Sequence, residues 1–129
     1  MTTQKKILIA DDSSIMRQLL SSTLTELGHS VLEFPDGEAL WKHLESAETP
    51  PDLCLLDQNM PELTGLEVCQ RMRSRPELAS VPILMLTAES APDLKSRAKE
   101  LGVRGWVLKP FNKESFAVVI QKVLGESKA

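Results

Sequence analysis

The sequence predicts an α/β fold, a doubly wound five-stranded parallel sheet with helices on both faces. Short apolar runs alternate with longer segments in which apolar residues recur every three or four positions, and this alternation occurs five times. The short runs are apolar almost throughout, which is typical of strands covered on both faces. Strands that each lead into a helix pair in parallel through right-handed crossovers.

The first two strand–helix units lie in residues 6–44. KILIA (6–10) reads as a buried strand, and HSVLEF (29–34) reads as the second strand. Gly28 is expected to end the first helix, and Asp36 is expected to cap the second. The inward face of the first helix is predicted to carry Met16, Leu19, Leu20, Thr23, Leu24 and Leu27. That of the second is predicted to carry Ala39, Leu40, His43 and Leu44.

The remaining three units follow the same pattern. Their strands are predicted at DLCLL (52–56), VPILMLT (81–87) and VRGWVLK (103–109). Thr64 and Glu67 form the spacing of a capping box at the start of the third helix, and the fourth helix is expected to be capped near Ser90. The predicted inward residues of the three helices are Val68, Cys69 and Met72, then Leu94, Ala98 and Leu101, then Phe116, Ile120 and Leu124.

Composition indicates one soluble domain that covers residues 1–129. Hydrophobic residues make up 42% of the chain and charged residues 26%, and the apolar runs are too short to span a bilayer. The N-terminus lacks the residue order of a signal peptide, so a cytoplasmic location without membrane association is expected. The net charge of -3 argues against direct DNA binding, which normally needs a clustered basic face.

The cysteines and histidines are not arranged like metal ligands. Cys54 and Cys69 are single residues within predicted core segments, so both are expected to be buried thiols and not a disulfide or a metal pair. His29 and His43 lack ligand-like neighbours and are predicted to lie at the surface or on a helix face.

Polar residues follow the predicted strands at one edge of the sheet. Asp11 and Asp12 follow the first strand, Asp57 the third, while Thr87 and Lys109 end the fourth and fifth. The carboxyl ends of parallel strands are where ligands bind in open α/β sheets. Three acids, one hydroxyl and one ammonium group are therefore expected to share one site.

The residue types at this edge suit a phosphoryl group. Neighbouring carboxylates repel one another, and a hard divalent cation, above all Mg²⁺, relieves that repulsion. Metal and ammonium charges neutralise phosphoryl oxygens, and Asp can attack phosphorus to form an acyl phosphate. Asp57 is the best nucleophile, because it follows the central strand. Two plainer interpretations stay open: Asp12 as a helix cap only, and Lys109 in a structural salt bridge with Asp57.

Four segments together resemble the receiver domain of two-component response regulators. They are DDSSIMRQ (11–18), LLDQNMP (55–61), LTAES (86–90) and GWVLKPF (105–111). The resemblance extends over nearly the whole chain and is strongest to the standalone chemotaxis type. It implies the flavodoxin-like strand order 2-1-3-4-5.

The resemblance also implies a role for each residue of the site. Asp57 would accept a phosphoryl group from a sensor histidine kinase or a histidine phosphotransfer protein. Asp11, Asp12, Asp57 and the backbone carbonyl of Asn59 would hold Mg²⁺. Thr87 and Lys109 would contact the phosphoryl oxygens, the small Ala88 would leave room for them, and the Lys109–Pro110 peptide bond would be cis.

In receivers, the signal passes to a surface formed by the fourth helix, the fifth strand and the fifth helix. The resemblance implies that Trp106 turns between outward and inward poses; a half-buried aromatic residue that never switches is the alternative. Val118 and Lys122 are predicted to point outward from the last helix. Asn59 and Glu89 would flank the path of attacking water. A downstream protein partner, such as the motility apparatus, and a monomeric state are expected.

Two other functions compete with a phospho-accepting regulator. One is a Mg²⁺-dependent phosphatase similar to haloacid dehalogenase-like hydrolases, but these place the nucleophile on the first strand and a second acid two residues later, where this chain has Asn59. We therefore expect no enzyme activity on external substrates, only self-catalysed phosphorylation and dephosphorylation. The other is an interaction module with this fold that is never phosphorylated.

Overall fold

The computed structural model describes residues 4–126 and contains five strands and five helices in strict alternation. The strands are β1 (Lys6–Ala10), β2 (Ser30–Phe34), β3 (Leu53–Leu56), β4 (Ile83–Thr87) and β5 (Gly105–Leu108). The helices are α1 (Ser14–Glu26), α2 (Gly37–Ser46), α3 (Gly65–Arg73), α4 (Pro92–Glu100) and α5 (Lys113–Glu126). The predicted elements are confirmed, with strand ends that differ from the prediction by one or two residues.

All five strands are parallel and lie in the order β2-β1-β3-β4-β5. The register places Ala10 beside both Phe34 and Leu56, and Thr87 beside Leu108. The predicted fold class and strand order are therefore confirmed. Because β3 lies between β1 and β4, the residue that follows β3 is central at the carboxyl edge of the sheet.

Strand residues alternate between two apolar layers, as the two-residue period of a strand requires. Ile7 and Ile9 pack under α1 and α5, while Leu8 and Ala10 pack under α2, α3 and α4. The central strands β1, β3 and β4 are thus covered on both faces. The edge strand β2 is not, and the 41% exposure of Leu32 corrects the expectation that every strand is buried on both faces.

Most helix starts agree with the sequence. The side chain of Asp36 accepts a hydrogen bond from Ala39 N, and the capping box between Thr64 and Glu67 is complete. The predicted cap near Ser90 is wrong. Helix α4 begins at Pro92 after the N-cap residue Ala91, without a side-chain cap. Proline suits this first position, because its φ is already helical and its missing N–H leaves one fewer donor without a partner.

Two side chains lie elsewhere than predicted. Leu19 was expected on the inward face of α1 but is 44% exposed, because Leu20, Thr23 and Leu24 form the stripe that faces the sheet. His29 is buried and not at the surface, with its Nδ1 accepting a hydrogen bond from Lys5 N at 3.2 Å. His43 packs on the Phe34 ring as a helix-face residue, and Cys54 and Cys69 are buried free thiols, as predicted.

Within residues 4–126, no helix is both long and apolar enough to cross a membrane.

Candidate functional site

The polar residues predicted at the strand ends do lie together at the carboxyl edge of the sheet. Carboxylate oxygens of Asp11, Asp12 and Asp57 all lie within 4.8 Å of one another. Asp11 and Asp57 are buried, whereas Asp12 is exposed, so the cluster is anchored in the protein and open to solvent on one side.

Asp11 is fixed by hydrogen bonds at several of its polar atoms. Its Oδ1 accepts from Ser13 N at 2.9 Å and its Oδ2 from Lys109 Nζ at 2.7 Å. Its backbone N–H donates to Phe34 O, and its carbonyl accepts from Arg17. Ser13 is the N-cap of α1, so the interpretation of Asp12 as the helix cap is wrong, and its exposed carboxylate remains available to a ligand.

Lys109 reaches two carboxylates at once. Its ammonium lies 2.7 Å from Asp11 Oδ2 and 3.1 Å from Asp57 Oδ2. Burial lowers the pKa of Lys109, but the hydrogen bond and negative charge of Asp11, together with Asp57, outweigh burial and raise the pKa above its ordinary value of 10.5. Lys109 is therefore a fixed positive charge beside Asp57. The peptide bond to Pro110 is cis, as predicted.

Thr87 and Trp106 belong to the paired strands β4 and β5. Thr87 is fully buried at the end of β4, and its hydroxyl accepts a hydrogen bond from Glu89 N at 3.2 Å. The carbonyl of Glu89 accepts in turn from the indole Nε1 of Trp106 at 2.9 Å. The indole is half-buried against the core. Thr87, the β4–α4 loop and Trp106 are thus joined by hydrogen bonds.

The loop after β3 presents Asp57 and Asn59 to the cluster. Asp57 N donates to Ala10 O at 3.0 Å, which continues the pairing of β3 with β1. Asn59 N donates to Asp57 Oδ1 at 3.2 Å, which fixes the carboxylate relative to the loop. A Cβ added at Gly65 would collide with the Asp57 carbonyl. The start of α3 therefore packs directly against the backbone of Asp57.

The donor set suits Mg²⁺. Three carboxylates from two strand ends offer hard oxygen ligands within a metal's reach of one another, and the exposed side of the cluster would admit the water molecules that Mg²⁺ usually keeps. Asp11, Asp12, Asp57 and the Asn59 carbonyl are the residues that could hold it.

Two residues beside the site were missed by the sequence analysis. Arg17 donates to the Asp11 carbonyl and pairs with Glu33 at 3.6 Å. Ile15, in the first turn of α1, is 81% exposed next to the acidic loop. Ile15 is not one of the predicted inward residues of α1, which begin at Met16. Its outward position could therefore have been found from the helical period.

Comparison with known proteins shows which family has this arrangement of residues. Residues 7–121 match the family model described as "Response regulator receiver domain". The chain belongs to the response regulator receiver family. The four segments quoted above lie at the carboxyl ends of β1, β3, β4 and β5.

Individual receivers are similar over almost the whole chain. The "Chemotaxis protein CheY homolog" of Campylobacter jejuni is 37% identical over 121 residues, 93% of this chain and 92% of that protein. "Chemotaxis protein CheY1" of Helicobacter pylori is 35% identical, with 93% and 97% covered. The solved structure of the Vibrio cholerae chemotaxis response regulator CheY4 superposes with a TM-score of 0.85 at 37% identity, covering 94% of this chain and 99% of that one.

Proposed function

We propose that this receiver is a phospho-accepting chemotaxis response regulator whose acceptor is Asp57. The observation that carries the proposal is the position of the Asp57 carboxylate, which lies within 4.8 Å of two further carboxylates and 3.1 Å from the Lys109 ammonium. A structural salt bridge would need only one acid. Here Lys109 contacts two acids, and a third acid beside them is exposed.

Asp11, Asp12, Asp57 and the Asn59 carbonyl would hold Mg²⁺. When bound, the ion supplies positive charge that neutralises phosphoryl oxygens. Lys109 contributes a second positive charge, and the Thr87 hydroxyl offers a directed hydrogen bond. Asp11, Asp57 and Lys109 are held together by hydrogen bonds at the strand ends before any phosphoryl group arrives.

The donor would be a phosphohistidine of a sensor histidine kinase or a histidine phosphotransfer protein. A carboxylate oxygen of Asp57 attacks phosphorus, a P–O bond forms and the P–N bond to imidazole breaks. The bond electrons leave with the imidazole nitrogen, and the product is an acyl phosphate on Asp57. Hydrolysis by water regenerates the carboxylate and releases inorganic phosphate, with Asn59 and Glu89 flanking the path of that water.

The signal would leave the site through Thr87. Phosphorylation adds about -1.5 to -2 charges and three acceptor oxygens at the strand ends. A Thr87 hydroxyl drawn toward them gives up the Glu89 N–H, and the Glu89 carbonyl holds the Trp106 indole. The changed surface is that of α4, β5 and α5, on which Val118 is 64% exposed and Lys122 is also exposed.

The partners are proteins in this proposal. The similar proteins of Campylobacter and Helicobacter carry chemotaxis names, so a component of the motility apparatus is the proposed target. The protein would act as a cytoplasmic monomer without direct DNA binding. It would turn over no external phosphomonoester, because Asn59 stands where a phosphatase of the aspartyl-phosphate type needs a general acid.

Intact-protein mass spectrometry tests the proposal. Incubation with acetyl phosphate and Mg²⁺ should add one phosphoryl group to the parent protein and none to Asp57→Asn, in which an amide replaces the nucleophile. Omission of Mg²⁺ should slow the addition strongly. A parent protein without an adduct would favour the unphosphorylated interaction module, and sustained hydrolysis of phosphomonoesters would favour a phosphatase.

A further inference from the structure

Gln58 follows the proposed acceptor directly, and its buried side chain reaches helix α3. Its Oε1 accepts a hydrogen bond from Leu66 N at 2.9 Å. Its backbone carbonyl accepts from Met60 N at 3.2 Å and Gly65 N at 3.3 Å. Three backbone donors therefore converge on one residue beside Asp57.

These hydrogen bonds close the loop that contains Asn59. At its start, the loop is held by the pairing of Asp57 N with Ala10 O. At its end, it is held by the bonds from Gly65 and Leu66 to Gln58. The direction of the Asn59 carbonyl depends on the backbone between these two points. Loss of the side-chain bond would release one of the two attachments at the helix end.

The first turn of α3 has two separate sets of acceptors. The N–H groups of Gly65 and Leu66 bond to Gln58, while that of Glu67 bonds to the Thr64 hydroxyl at 3.2 Å. The Thr64 bond is local to the helix and satisfies its own first turn. The Gln58 bond joins the helix to the loop after β3. The chain thus offers one residue for each role at the same helix end.

We propose that Gln58 is a positioning residue that fixes the Asp57–Asn59 loop for Mg²⁺ through its hydrogen bond to Leu66. The inference rests on the proposed function and names a residue that acts through the metal ligands without being one. Residues that hold metal ligands in place affect metal affinity even though they do not touch the ion, typically by a factor of 10 to 100.

Gln58→Met tests the proposal, because methionine keeps the length and volume of the side chain but lacks the amide carbonyl. The Leu66 amide should then exchange faster with solvent in NMR experiments. The dissociation constant for Mg²⁺, measured by calorimetry without any phosphodonor, should rise about tenfold. Gln58→Asn is the second variant, since its amide is one methylene shorter and falls short of Leu66, and it should give the same two results.

Two controls separate positioning from helix stability. Thr64→Ala removes a cap at the same helix end and should lower the melting temperature while leaving the Mg²⁺ dissociation constant within about twofold of the parent. Gln58→Glu retains an acceptor for Leu66 and should keep the amide protected without weaker Mg²⁺ binding.

The possible outcomes distinguish a failure of the positioning role of Gln58 from a failure of the proposed function. A parent protein that takes up no Mg²⁺ would overturn the proposed function. A parent that binds Mg²⁺ with the same affinity as Gln58→Met and Gln58→Asn would overturn the positioning role alone. Equal losses of Mg²⁺ affinity in Thr64→Ala and Gln58→Met would also overturn the positioning role, because general fraying of α3 would then explain both losses.

Discussion

At the scale of single residues, the loop between β3 and α3 has a constrained backbone close to the site. Glu62 has φ of +67°, in the left-handed region that a side chain with Cβ disfavours. Gly65 has no room for a Cβ, because the Asp57 carbonyl and the Met85 methyl group occupy that space. Both positions lie within eight residues of the acceptor, so the loop is held in one shape at some cost in stability.

Replacement of Glu62 by Asn should stabilise the protein. Left-handed conformation costs about 1–2 kcal/mol for an ordinary residue, and Asn tolerates it better. We expect Glu62→Asn to raise the free energy of unfolding by up to about 1 kcal/mol in urea denaturation. Glu62→Gln, which keeps the same backbone penalty, should stay within about 0.5 kcal/mol of the parent. Equal stability of the two variants would show that the backbone at position 62 is unstrained.

A methyl group at position 65 should have the opposite effect. Gly65→Ala forces Cβ against the Asp57 carbonyl, and overpacking of this kind costs about 1–3 kcal/mol of stability. Because the displaced atom belongs to the acceptor residue, phosphorylation by acetyl phosphate should slow as well. Gly125→Ala is the matched control: nothing lies within 4 Å of its added Cβ, and alanine favours helix, so its stability should be unchanged or higher. Parallel denaturation curves for the two alanine variants would contradict the prediction.

At the scale of elements, helix α1 has an exposed apolar surface that the sequence analysis missed. Ile15 and Leu19 lie one turn apart on its outer side, 81% and 44% exposed. Ile15 is in the first turn, immediately after the acidic loop. An apolar side chain at that place is suited to contact a protein that brings its phosphohistidine to Asp57, whereas a small phosphodonor needs no such contact.

Ile15→Ala should therefore slow phosphorylation by a phosphohistidine protein more than phosphorylation by acetyl phosphate. Loss of an exposed apolar contact at an interface predicts about a threefold to tenfold lower transfer rate, equivalent to about 1 kcal/mol. Leu32→Ala is the control, because Leu32 is also exposed but lies on the edge strand β2. Equal rates for Ile15→Ala and the parent with the protein donor would exclude α1 from that contact.

Element types were more predictable than the details of their ends. Strands and helices follow from the change in apolar period between β3 and α3, or between β4 and α4, which is a property of local sequence. Helix α4 shows the limit of this approach, since Ser90 was the expected cap but the helix begins at Pro92 after Ala91, without a side-chain cap. Leu19 was placed inward in error, because the buried face of α1 is narrower than the face that all of its apolar residues would cover.

At the scale of the whole molecule, the site was predictable because parallel topology fixes where strand ends meet. Once Asp11, Asp57 and Lys109 were each placed at the carboxyl end of a strand, their convergence required only that the strands share one sheet. The bond from Gln58 to Leu66 was not predictable in this way. It depends on the shape of an eight-residue loop, which no periodic pattern encodes. The hydrogen bond from Lys5 N to His29 Nδ1 was not predictable either, because it joins two segments that lie apart in the sequence.

His29 is expected to make the free energy of unfolding of the whole domain depend on pH. Burial and the nearby charge of Lys5 lower its pKa below the ordinary 6.5, against an opposing effect of Asp52. The unfolded chain keeps the ordinary pKa, so it binds the proton more readily than the folded protein. The contribution of His29 to the free energy of unfolding is fully present above the pKa that His29 has in the unfolded chain. It is lost as the pH falls from there through the lower pKa of the folded protein. Protonation would also remove the acceptor for Lys5 N.

The melting temperature of the parent should therefore fall more between about pH 7.5 and pH 5 than that of His29→Gln. Glutamine has no proton to gain in this range, and its carbonyl can still accept from Lys5 N. Carboxylates that titrate near the lower limit affect both proteins alike and cancel in the difference. Calorimetric scans at several pH values give the comparison directly, and curves that run parallel would show that His29 carries none of the pH dependence.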